Sequence, residues 1–359
     1  MQPKASPGNK LLTFDKEGAR SDSAPLRGLR AVTRIPAGRM AWAAITLLTL
    51  GFLTACAATP DDERPAGHEL RDLQAAAHHS DGASRPVLAI ALGGGGLRGY
   101  AHIGVLQALE DAGIQPNLVV GTSIGAIVGA AYASGVAPAQ LWNLATAAPM
   151  FSLADLTLTG PGFVKGQALA RWTNELVGQQ PIERFSKRFA AVASDLQRAM
   201  PIAITSGNAG QAARASAAIP GVFLPVKYSD GELVDGGITS LVPVQTARAL
   251  GADIVIAVDI YCHGARYPST SVLSAWLRVS QTQSCLLAKA ELAGADVVIA
   301  TPVSPPALND AAAREQARRL GYAAASEAVP ALRAALRRFA GDSEHVNSDA
   351  SMREVSPVH

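Results

Sequence analysis

Residues 87–99 read Val-Leu-Ala-Ile-Ala-Leu-Gly-Gly-Gly-Gly-Leu-Arg-Gly, an apolar run that ends in a glycine-rich loop. A short, uninterrupted apolar run is typical of a strand buried on both faces of a parallel sheet. After the loop, apolar residues recur at helical spacing from Tyr100 to Ala112, and Gly113 marks a helix end. The stretch therefore predicts a strand, a tight turn and a helix, which is the first unit of an α/β fold.

A second unit of the same kind follows directly. The strand predicted over 117–120 runs through Gly121-Thr-Ser-Ile-Gly125 into an alanine-rich helix that ends near Gly135. Five further apolar segments predict strands, at 189–193, 202–205, 232–235, 253–258 and 296–300. Because helical segments alternate with them, the sequence predicts one α/β domain over 86–340.

Composition and charge narrow the class of protein. The chain has 359 residues, of which 48% are hydrophobic and 17% charged, so a sizeable buried core is expected. The net charge of +2 is unevenly distributed, since residues 1–56 carry a net charge of +5 and the remainder −3. The later chain has no basic stripe with interleaved aromatic residues, which excludes a nucleic-acid-binding surface there.

The N-terminal segment has the composition of an export signal. Four arginines between residues 27 and 39 precede an apolar run that starts at Met40 and ends in Leu-Thr-Ala-Cys56. These last four residues resemble the bacterial lipobox, in which the cysteine is acylated and becomes the mature N-terminus. The resemblance implies a lipoprotein signal peptide over 1–56, attachment to a membrane through Cys56 and, since Ala57 follows, an outer-membrane location in a Gram-negative cell. An uncleaved membrane anchor is the alternative.

Two polar segments flank the predicted domain. Residues 57–85 are interrupted by proline and glycine and predict a flexible linker, and residues 341–359 predict a disordered tail. If Cys56 is lipidated, Cys262 and Cys285 either pair in an oxidising compartment or remain independent thiols. No cluster of cysteine and histidine has the spacing of metal ligands, so no metal site is predicted.

The glycine loop is open to more than one interpretation. Gly94, Gly96 and Gly99 fit the dinucleotide pattern G-x-G-x-x-G, which also needs an acidic residue at the end of the second strand. That strand ends at Val120 and no acid follows it before Ser123. The Gly-Lys-Ser/Thr of phosphate loops is absent as well. The remaining use of such a loop is to direct backbone N–H groups at a developing negative charge.

Ser123 lies in a G-x-S-x-G pattern between a strand and a helix, where a sharp turn exposes the hydroxyl as a nucleophile. The alternative is a helix N-cap serine. A serine nucleophile needs a base, and the histidines that follow are His263 in an irregular loop and His345 and His359 in the polar tail. Asp235, which precedes two glycines, is the better-placed acid, although Asp-Gly-Gly is also a common β-turn.

Taken in order, Gly93–Gly99, Gly121–Gly125 and Asp235-Gly-Gly237 resemble the three signature motifs of patatin-like phospholipases. Residues 215–225 and Asp195 are also similar to bacterial members of that family. The resemblance covers about residues 86–305. It implies a three-layer α/β/α fold with a mainly parallel central sheet.

The same resemblance implies a mechanism. Ser123 corresponds to the nucleophile and Asp235 to its base, in a dyad without histidine that cleaves acyl esters of lipids and needs no metal or organic cofactor. The residues that correspond to the oxyanion-binding loop are Gly94, Gly95, Gly96 and Arg98. For Arg98, the alternative is an ion pair with a structural role.

Two other functions remain open from the sequence. One is an ordinary Ser-His-Asp esterase that uses His263, and the other is a lipid-binding protein that keeps the fold without turnover. Residues 150–164 are apolar yet broken by Gly160, Pro161 and Gly162, which favours a substrate entrance over a regular core element. An ordinary buried connection is the alternative for that segment.

Overall fold

A nine-stranded mixed sheet forms the centre of the computed structural model, which describes residues 65–77, 86–148, 153–229, 231–304 and 310–353. Most of its strands are the short apolar runs that the sequence indicates. The strands, in chain order, are β1 (Gly67–Glu69), β2 (Leu88–Leu92), β3 (Leu118–Thr122), β4 (Arg188–Asp195), β5 (Met200–Ile204), β6 (Val226–Tyr228), β7 (Gly231–Asp235), β8 (Ile254–Asp259) and β9 (Val297–Ala300).

The strands lie in the order β1-β5-β4-β3-β2-β8-β9. From β4 to β9 all neighbours are parallel, whereas β5 pairs antiparallel with β4, and β1 with β5. Two strands lie off this path, because β7 pairs antiparallel with β4 and β6 pairs with β7. The predicted α/β class with a mainly parallel sheet is confirmed.

Helices cover both faces of the sheet and create three layers. Alternate residues of β2 show the division, since Ile90 and Leu92 pack in one core and Ala89 and Ala91 in the other. The helices, in chain order, are α1 (Leu70–Ala77), α2 (Tyr100–Asp111), α3 (Ile124–Ser134), α4 (Pro138–Ala147), α5 (Gln167–Leu176), α6 (Ala209–Ser216), α7 (Val244–Ala249), α8 (Val272–Leu292) and α9 (Ala311–Arg353). The first core includes α2, α3, α6 and α9, and the second includes α7 and α8.

Two predicted boundaries are wrong. Strand β1 and helix α1 lie inside the segment predicted as a flexible linker, where β1 pairs with β5 and Tyr228 donates a hydrogen bond to the Gly67 carbonyl (3.0 Å). Strand pairing uses the backbone, so it can order a Gly-His-Glu sequence that has no strand pattern. Helix α9 continues to Arg353, into the predicted disordered tail. Polar composition argues against burial but does not prevent helix formation.

Within the described ranges, no helix is both long and apolar enough to cross a membrane. The proposed signal sequence and Cys56 lie outside the described residues.

Candidate active site

The ends of β3 and β7 meet on the same edge of β4. Strand β3 runs parallel to β4 and pairs Thr122 with Val192, whereas β7 runs antiparallel and pairs Asp235 with the next residue, Ala193. Ser123 directly follows β3, so the sheet brings it to the last residue of β7. The Ser123 hydroxyl donates a hydrogen bond to Asp235 Oδ2 at 2.6 Å, and both residues are buried.

Ser123 has an unusual backbone conformation. Its φ of 56° and ψ of −122° lie outside the favoured regions for a residue with a side chain, a strain that persists only where the surroundings impose it. The Ser123 N–H donates to Ser216 Oγ (2.8 Å), and that hydroxyl donates to the Val192 carbonyl (2.6 Å). The Ser123 side chain makes no helix-capping hydrogen bond. The turn therefore presents the hydroxyl to Asp235, and the N-cap interpretation is wrong.

Two glycines allow the backbone segments to approach this closely. A Cβ at Gly125 would lie 2.1 Å from the Leu92 carbonyl oxygen, and one at Gly236 would lie 2.1 Å from that of Val192. Both distances are far below van der Waals contact. Any side chain at either position would separate the elements that bring Ser123 and Asp235 together.

The Asp235 carboxylate has a different partner on each oxygen. Oδ1 accepts a hydrogen bond from the Gly237 N–H (2.8 Å) and Oδ2 accepts from Ser123. The β-turn interpretation of Asp-Gly-Gly, which uses Oδ1, is thus compatible with the hydrogen bond from Ser123 to Oδ2. Burial raises the pKa of Asp235 to about 6, against the opposing effect of the two hydrogen bonds. A carboxylate with such a pKa is a stronger base than an exposed one and remains ionised near neutral pH.

The glycine loop lies beside Ser123, but its N–H groups are not equivalent. Gly94 donates its N–H to the Leu241 carbonyl (2.9 Å), so this donor is already used. The N–H groups of Gly95 and Gly96 have no acceptor among the described residues, and both glycines line the same pocket as Ser123. The structure therefore leaves Gly95 and Gly96 as the available oxyanion donors and gives Gly94 a structural hydrogen bond.

Arg98 is fully buried and is not among the residues that line this pocket. Its guanidinium donates to the carbonyls of Val303 (3.1 Å) and Ala265 (3.0 Å) and packs over the rings of Tyr261 and Tyr267. These contacts attach the glycine loop to the 261–267 loop. They give no support to a direct role of Arg98 in oxyanion binding. The alternative, a structural ion pair, is wrong because the partners of Arg98 are carbonyl groups and tyrosines.

His263 and His102 have partners other than Ser123. His263 Nδ1 lies 3.0 Å from Asp259 Oδ2, and His263 does not line the pocket. His102 is buried and donates from Nε2 to the Gly93 carbonyl (2.7 Å), and burial lowers its pKa to about 4, so it stays neutral. The side chains of His345 and His359 lie outside the described part of the chain. The base that the geometry offers to Ser123 is Asp235.

Ser123 and Asp235 line a pocket of about 90 Å³. One wall comes from α8 and the loop before it, and no sequence pattern indicates that this helix reaches the site. Six side chains of that wall mix aromatic, aliphatic and hydroxyl groups: Tyr261, Tyr267, Trp276, Leu277, Ser280 and Ser284. Ser216 was likewise missed, and its only signal is its position within the 215–225 segment that resembles bacterial patatin-like proteins.

A disulfide and hydrogen bonds attach helix α8 to the residues around the site. A disulfide joins Cys262 to Cys285, which answers the question that the sequence left open. Gln281 donates to the Tyr261 carbonyl (3.0 Å). Near the end of the helix, buried Glu291 accepts a hydrogen bond from Ser240 Oγ (2.8 Å), and burial raises its pKa to about 7. The pocket wall is therefore held in a fixed position relative to the dyad.

The proposed entrance segment packs near the pocket, as far as it is described. Residues 149–152 lie outside the described part, but the N–H groups of Phe163 and Val164 donate to the Val222 carbonyl (2.8 and 2.9 Å). The neighbouring Ile219 and Pro220 line the pocket. Leu158 is fully exposed and Phe163 is 68% exposed. The segment therefore presents apolar side chains to solvent close to the site, and a buried connection is the wrong interpretation.

If the chain acts on lipid esters, as the resemblance of its motifs implies, Phe163→Ser should lower activity on aggregated lipid about tenfold, because an exposed phenyl ring that enters a lipid surface contributes more than about 1 kcal/mol. Activity on short soluble esters should change little. Val298→Ser is the matched control, since Val298 is also exposed but lies on edge strand β9. Initial rates on vesicles and on soluble esters test this, and equal losses on both substrates would indicate destabilisation instead.

Residues 90–248 match the model of the protein family described as "Patatin-like phospholipase". An uncharacterized NTE family protein of Mycobacterium tuberculosis is 35% identical over 57% of this chain and 59% of its own length. Lysophospholipase nte1 of Aspergillus fumigatus is 34% identical over 48% of this chain and 12% of its own length. The chain thus covers about three-fifths of the mycobacterial relative and a small part of the fungal one.

Solved structures give a more distant likeness. VipD from Legionella pneumophila superposes with a TM-score of 0.47 and 13% identity, over 69% of this chain and 67% of VipD. Full-length ExoU from Pseudomonas aeruginosa, in complex with SpcU, gives a TM-score of 0.42 and 16% identity, over 70% and 53% of the two chains.

Proposed function

Because this chain belongs to the patatin-like phospholipase family through residues 90–248, we propose that it is a lipid acyl hydrolase with Ser123 as nucleophile and Asp235 as base. The observation that carries the proposal is the 2.6 Å hydrogen bond from Ser123 Oγ to Asp235 Oδ2 at the floor of the pocket. A nucleophile within hydrogen-bonding distance of a base is the arrangement that covalent acyl transfer requires.

In the first step, Ser123 Oγ attacks the acyl carbonyl carbon while its proton moves to Asp235 Oδ2. The carbonyl oxygen becomes negative and lies against the free N–H groups of Gly95 and Gly96. When the tetrahedral intermediate collapses, the ester C–O bond breaks and the leaving alcohol takes the proton from Asp235. By comparison with other oxyanion holes, each donor is worth about 10²–10³ in rate.

In the second step, water attacks the acyl group on Ser123 and gives a proton to Asp235. Collapse of this intermediate breaks the Ser123–acyl bond, and the proton returns to Oγ as the fatty acid leaves. Asp235 begins and ends each half-reaction as a carboxylate. Its raised pKa of about 6 suits this cycle, since it accepts and releases a proton near neutral pH.

The substrate class to test first is a lysophospholipid. The name of the fungal relative, a lysophospholipase, supports this choice. The pocket wall offers hydroxyl groups from Tyr261, Ser280 and Ser284, which suit a glycerol-containing leaving group better than a second acyl chain.

The test is to label the purified protein with a fluorophosphonate and locate the adduct by mass spectrometry. We expect a single adduct on Ser123, loss of labelling in a folded Ser123→Ala variant, and release of fatty acid from lysophospholipid by the wild type. An adduct on another serine would refute the assignment of the nucleophile. A labelled protein that releases no fatty acid from any lipid ester would instead favour the lipid-binding alternative.

Membrane attachment through Cys56 is a second part of the proposal. It rests on the arginines before the apolar run and on the Leu-Thr-Ala-Cys ending. The disulfide between Cys262 and Cys285 supports export, because such bonds persist in oxidising compartments. A diacylglyceryl group with its two chains gives stable attachment to a membrane, where a single chain would be marginal. In a Gram-negative cell we propose the outer membrane as the location.

We expect radioactive palmitate to label the protein in whole cells and Cys56→Ala to abolish the label. Mass spectrometry of the mature protein should place its N-terminus at Cys56. Cys262→Ser serves as the control and should retain the label, because that cysteine lies in the folded domain. A mature chain that still carries residues 1–55 would contradict the lipoprotein proposal and favour an uncleaved anchor.

A further inference from the structure

The outward face of α8 carries five large apolar side chains, each between 41% and 91% exposed: Val272, Trp276, Val279, Leu286 and Leu287. Their spacing puts them on one side of a helix, in a line about 22 Å long that Gln283 interrupts. These five residues are called the α8 stripe below. Contiguous exposed apolar side chains mark a site of interaction, whereas single ones are ordinary surface.

The opposite face of α8 holds the stripe in its outward position. Cys285 is joined to Cys262 by the disulfide, and buried Glu291 accepts the hydrogen bond from Ser240. Gln281 is buried as well and donates to the Tyr261 carbonyl. Since these contacts prevent the helix from rotating, the stripe cannot be covered by the domain itself.

The α8 stripe borders the active-site pocket. Trp276 belongs to the stripe and also lines the pocket, together with Ser123. The exposed side chains of Leu158 and Phe163 belong to the entrance segment near the same pocket. Anything that covers the stripe therefore lies at the pocket opening. A second protein molecule in this place would obstruct the pocket, whereas a lipid surface would place lipid molecules beside it.

The charges around the stripe favour an anionic lipid surface. Residues 260–292 contain three basic side chains, Arg266, Arg278 and Lys289, and all three are exposed. The acidic side chain of this segment is Glu291, which is buried. An apolar helix face with a tryptophan, accompanied by lysine and arginine, is the pattern of a helix that lies flat in the interface of an anionic membrane.

We propose that the α8 stripe inserts into the surface of an anionic phospholipid bilayer and turns the pocket beside Trp276 toward the lipid. The helix axis then lies in the plane of the membrane, and Arg278 and Lys289 lie among the headgroup phosphates. This contact is distinct from lipidation at Cys56. A lipid on Cys56 keeps the protein near a membrane, whereas the stripe orients the folded domain on it. The contact does not require turnover.

Fluorescence quenching tests the contact in protein that carries two substitutions. Ser123→Ala prevents hydrolysis, and Trp42→Phe removes the tryptophan of the N-terminal apolar run. The vesicles contain equal parts of phosphatidylglycerol and of phosphatidylcholine brominated on its acyl chains. We expect these vesicles to quench fluorescence, and Trp276→Phe to remove most of the quenching. No quenching that depends on Trp276 would overturn the proposal.

A lipid molecule inside the pocket could also quench Trp276, so a second variant separates the two cases. Val279 belongs to the stripe but does not line the pocket. Val279→Asp should abolish most of the quenching, whereas the matched Val298→Asp, on edge strand β9, should leave it unchanged. Quenching that survives in Val279→Asp would come from the pocket and would overturn the proposal.

If Val279→Asp does not fold, as judged by thermal melting, Val272→Asp replaces it. Val272 is 91% exposed and is the first residue of α8, where a carboxylate is favourable to the helix. The expected loss of quenching and the outcome that overturns the proposal are the same.

Rates measure the consequence for catalysis in protein with an intact Ser123. Val279→Asp should lower kcat/KM on anionic vesicles about tenfold, the factor that corresponds to burial of one valine side chain. Its kcat/KM on a short soluble ester should not change. Lys289→Gln should lower the rate on anionic vesicles about fivefold and leave the rate on phosphatidylcholine vesicles unchanged. Equal losses of Val279→Asp on vesicles and on the soluble ester would contradict the proposal.

A second copy of the chain is the other occupant that an apolar stripe could have. Sedimentation would then show a dimer that Val279→Asp converts to a monomer, and vesicles would not quench Trp276. That result would overturn the proposal. Failure of the proposed function has a different signature, because quenching of Trp276 would remain while the wild type neither labels with fluorophosphonate nor releases fatty acid.

Discussion

Asp235→Asn is expected to lower kcat for ester hydrolysis by about 10²–10⁴, the contribution of a positioned general base. The amide keeps the shape of the side chain and can still accept the hydrogen bond from Gly237, but it cannot take the proton from Ser123. Steady-state kinetics on a short soluble ester measure the effect without interference from lipid binding. Activity within a factor of about three of the wild type would contradict the dyad.

The same substitution should not weaken the fold. The pKa of Asp235 in the folded protein, about 6, lies above the value near 3.9 of an unfolded chain, so the folded state binds this proton more tightly. The stability associated with the proton is present below pH 4 and is lost as the pH rises through 6. Asn removes the buried charge, so at pH 8 the variant should be as stable as the wild type or more so, by up to about 3 kcal/mol.

The pH profile alone does not identify the base. The sequence predicts a carboxylate ionised down to about pH 4, whereas burial moves the expected rise in kcat/KM to about pH 6. A histidine base would give a similar profile. His263→Ala is therefore the control and should retain most activity, since His263 is paired with Asp259. If it proves as inactive as Ser123→Ala while folded, the Ser-His-Asp alternative replaces the dyad.

Removal of the disulfide should cost about 3 kcal/mol of unfolding free energy. The bond joins Cys262 to Cys285, 23 residues apart, and a cross-link over such a loop restricts the unfolded chain by about that amount. Urea unfolding of Cys262→Ala/Cys285→Ala measures the change. Because α8 forms a wall of the pocket, activity should also become more sensitive to temperature.

A reducing agent supplies the control for this pair. It should lower the unfolding midpoint of the wild type toward that of the double variant and leave the double variant unchanged. Thiol titration of the unreduced, denatured wild type should find neither Cys262 nor Cys285 reactive. Free thiols at both positions, in protein isolated from an oxidising compartment, would contradict the bond.

Local sequence patterns predict most of the strands, and they single out Ser123 and Asp235, which the structure brings within hydrogen-bonding distance. Apolar runs such as 88–92 and 254–258 are buried on both faces, so each appears in the sequence as a short, uninterrupted apolar segment. Ser123 and Asp235 lie in motifs whose glycines are needed for close backbone approach, and these glycines make the motifs recognisable in the sequence.

What the sequence could not predict depends on contacts between distant segments. The N–H of Gly94 is engaged by Leu241, and Arg98 binds carbonyls of Val303 and Ala265, none of which a motif can indicate. Strand β1 is held by backbone pairing to β5 and shows no apolar pattern of its own. In each case the partner lies more than a hundred residues away, where periodicity carries no information.

The meeting of β3 and β7 on one edge of β4 also bears on how the protein is made. Ser123 and Asp235 are separated by 112 residues, and neither strand alone carries both. A nascent chain on the ribosome therefore cannot form the hydrogen bond between them until Asp235 has emerged and β7 has paired with β4. If the chain hydrolyses membrane lipids as proposed, every translation product that ends before residue 235 lacks the proposed base and is expected to be inactive.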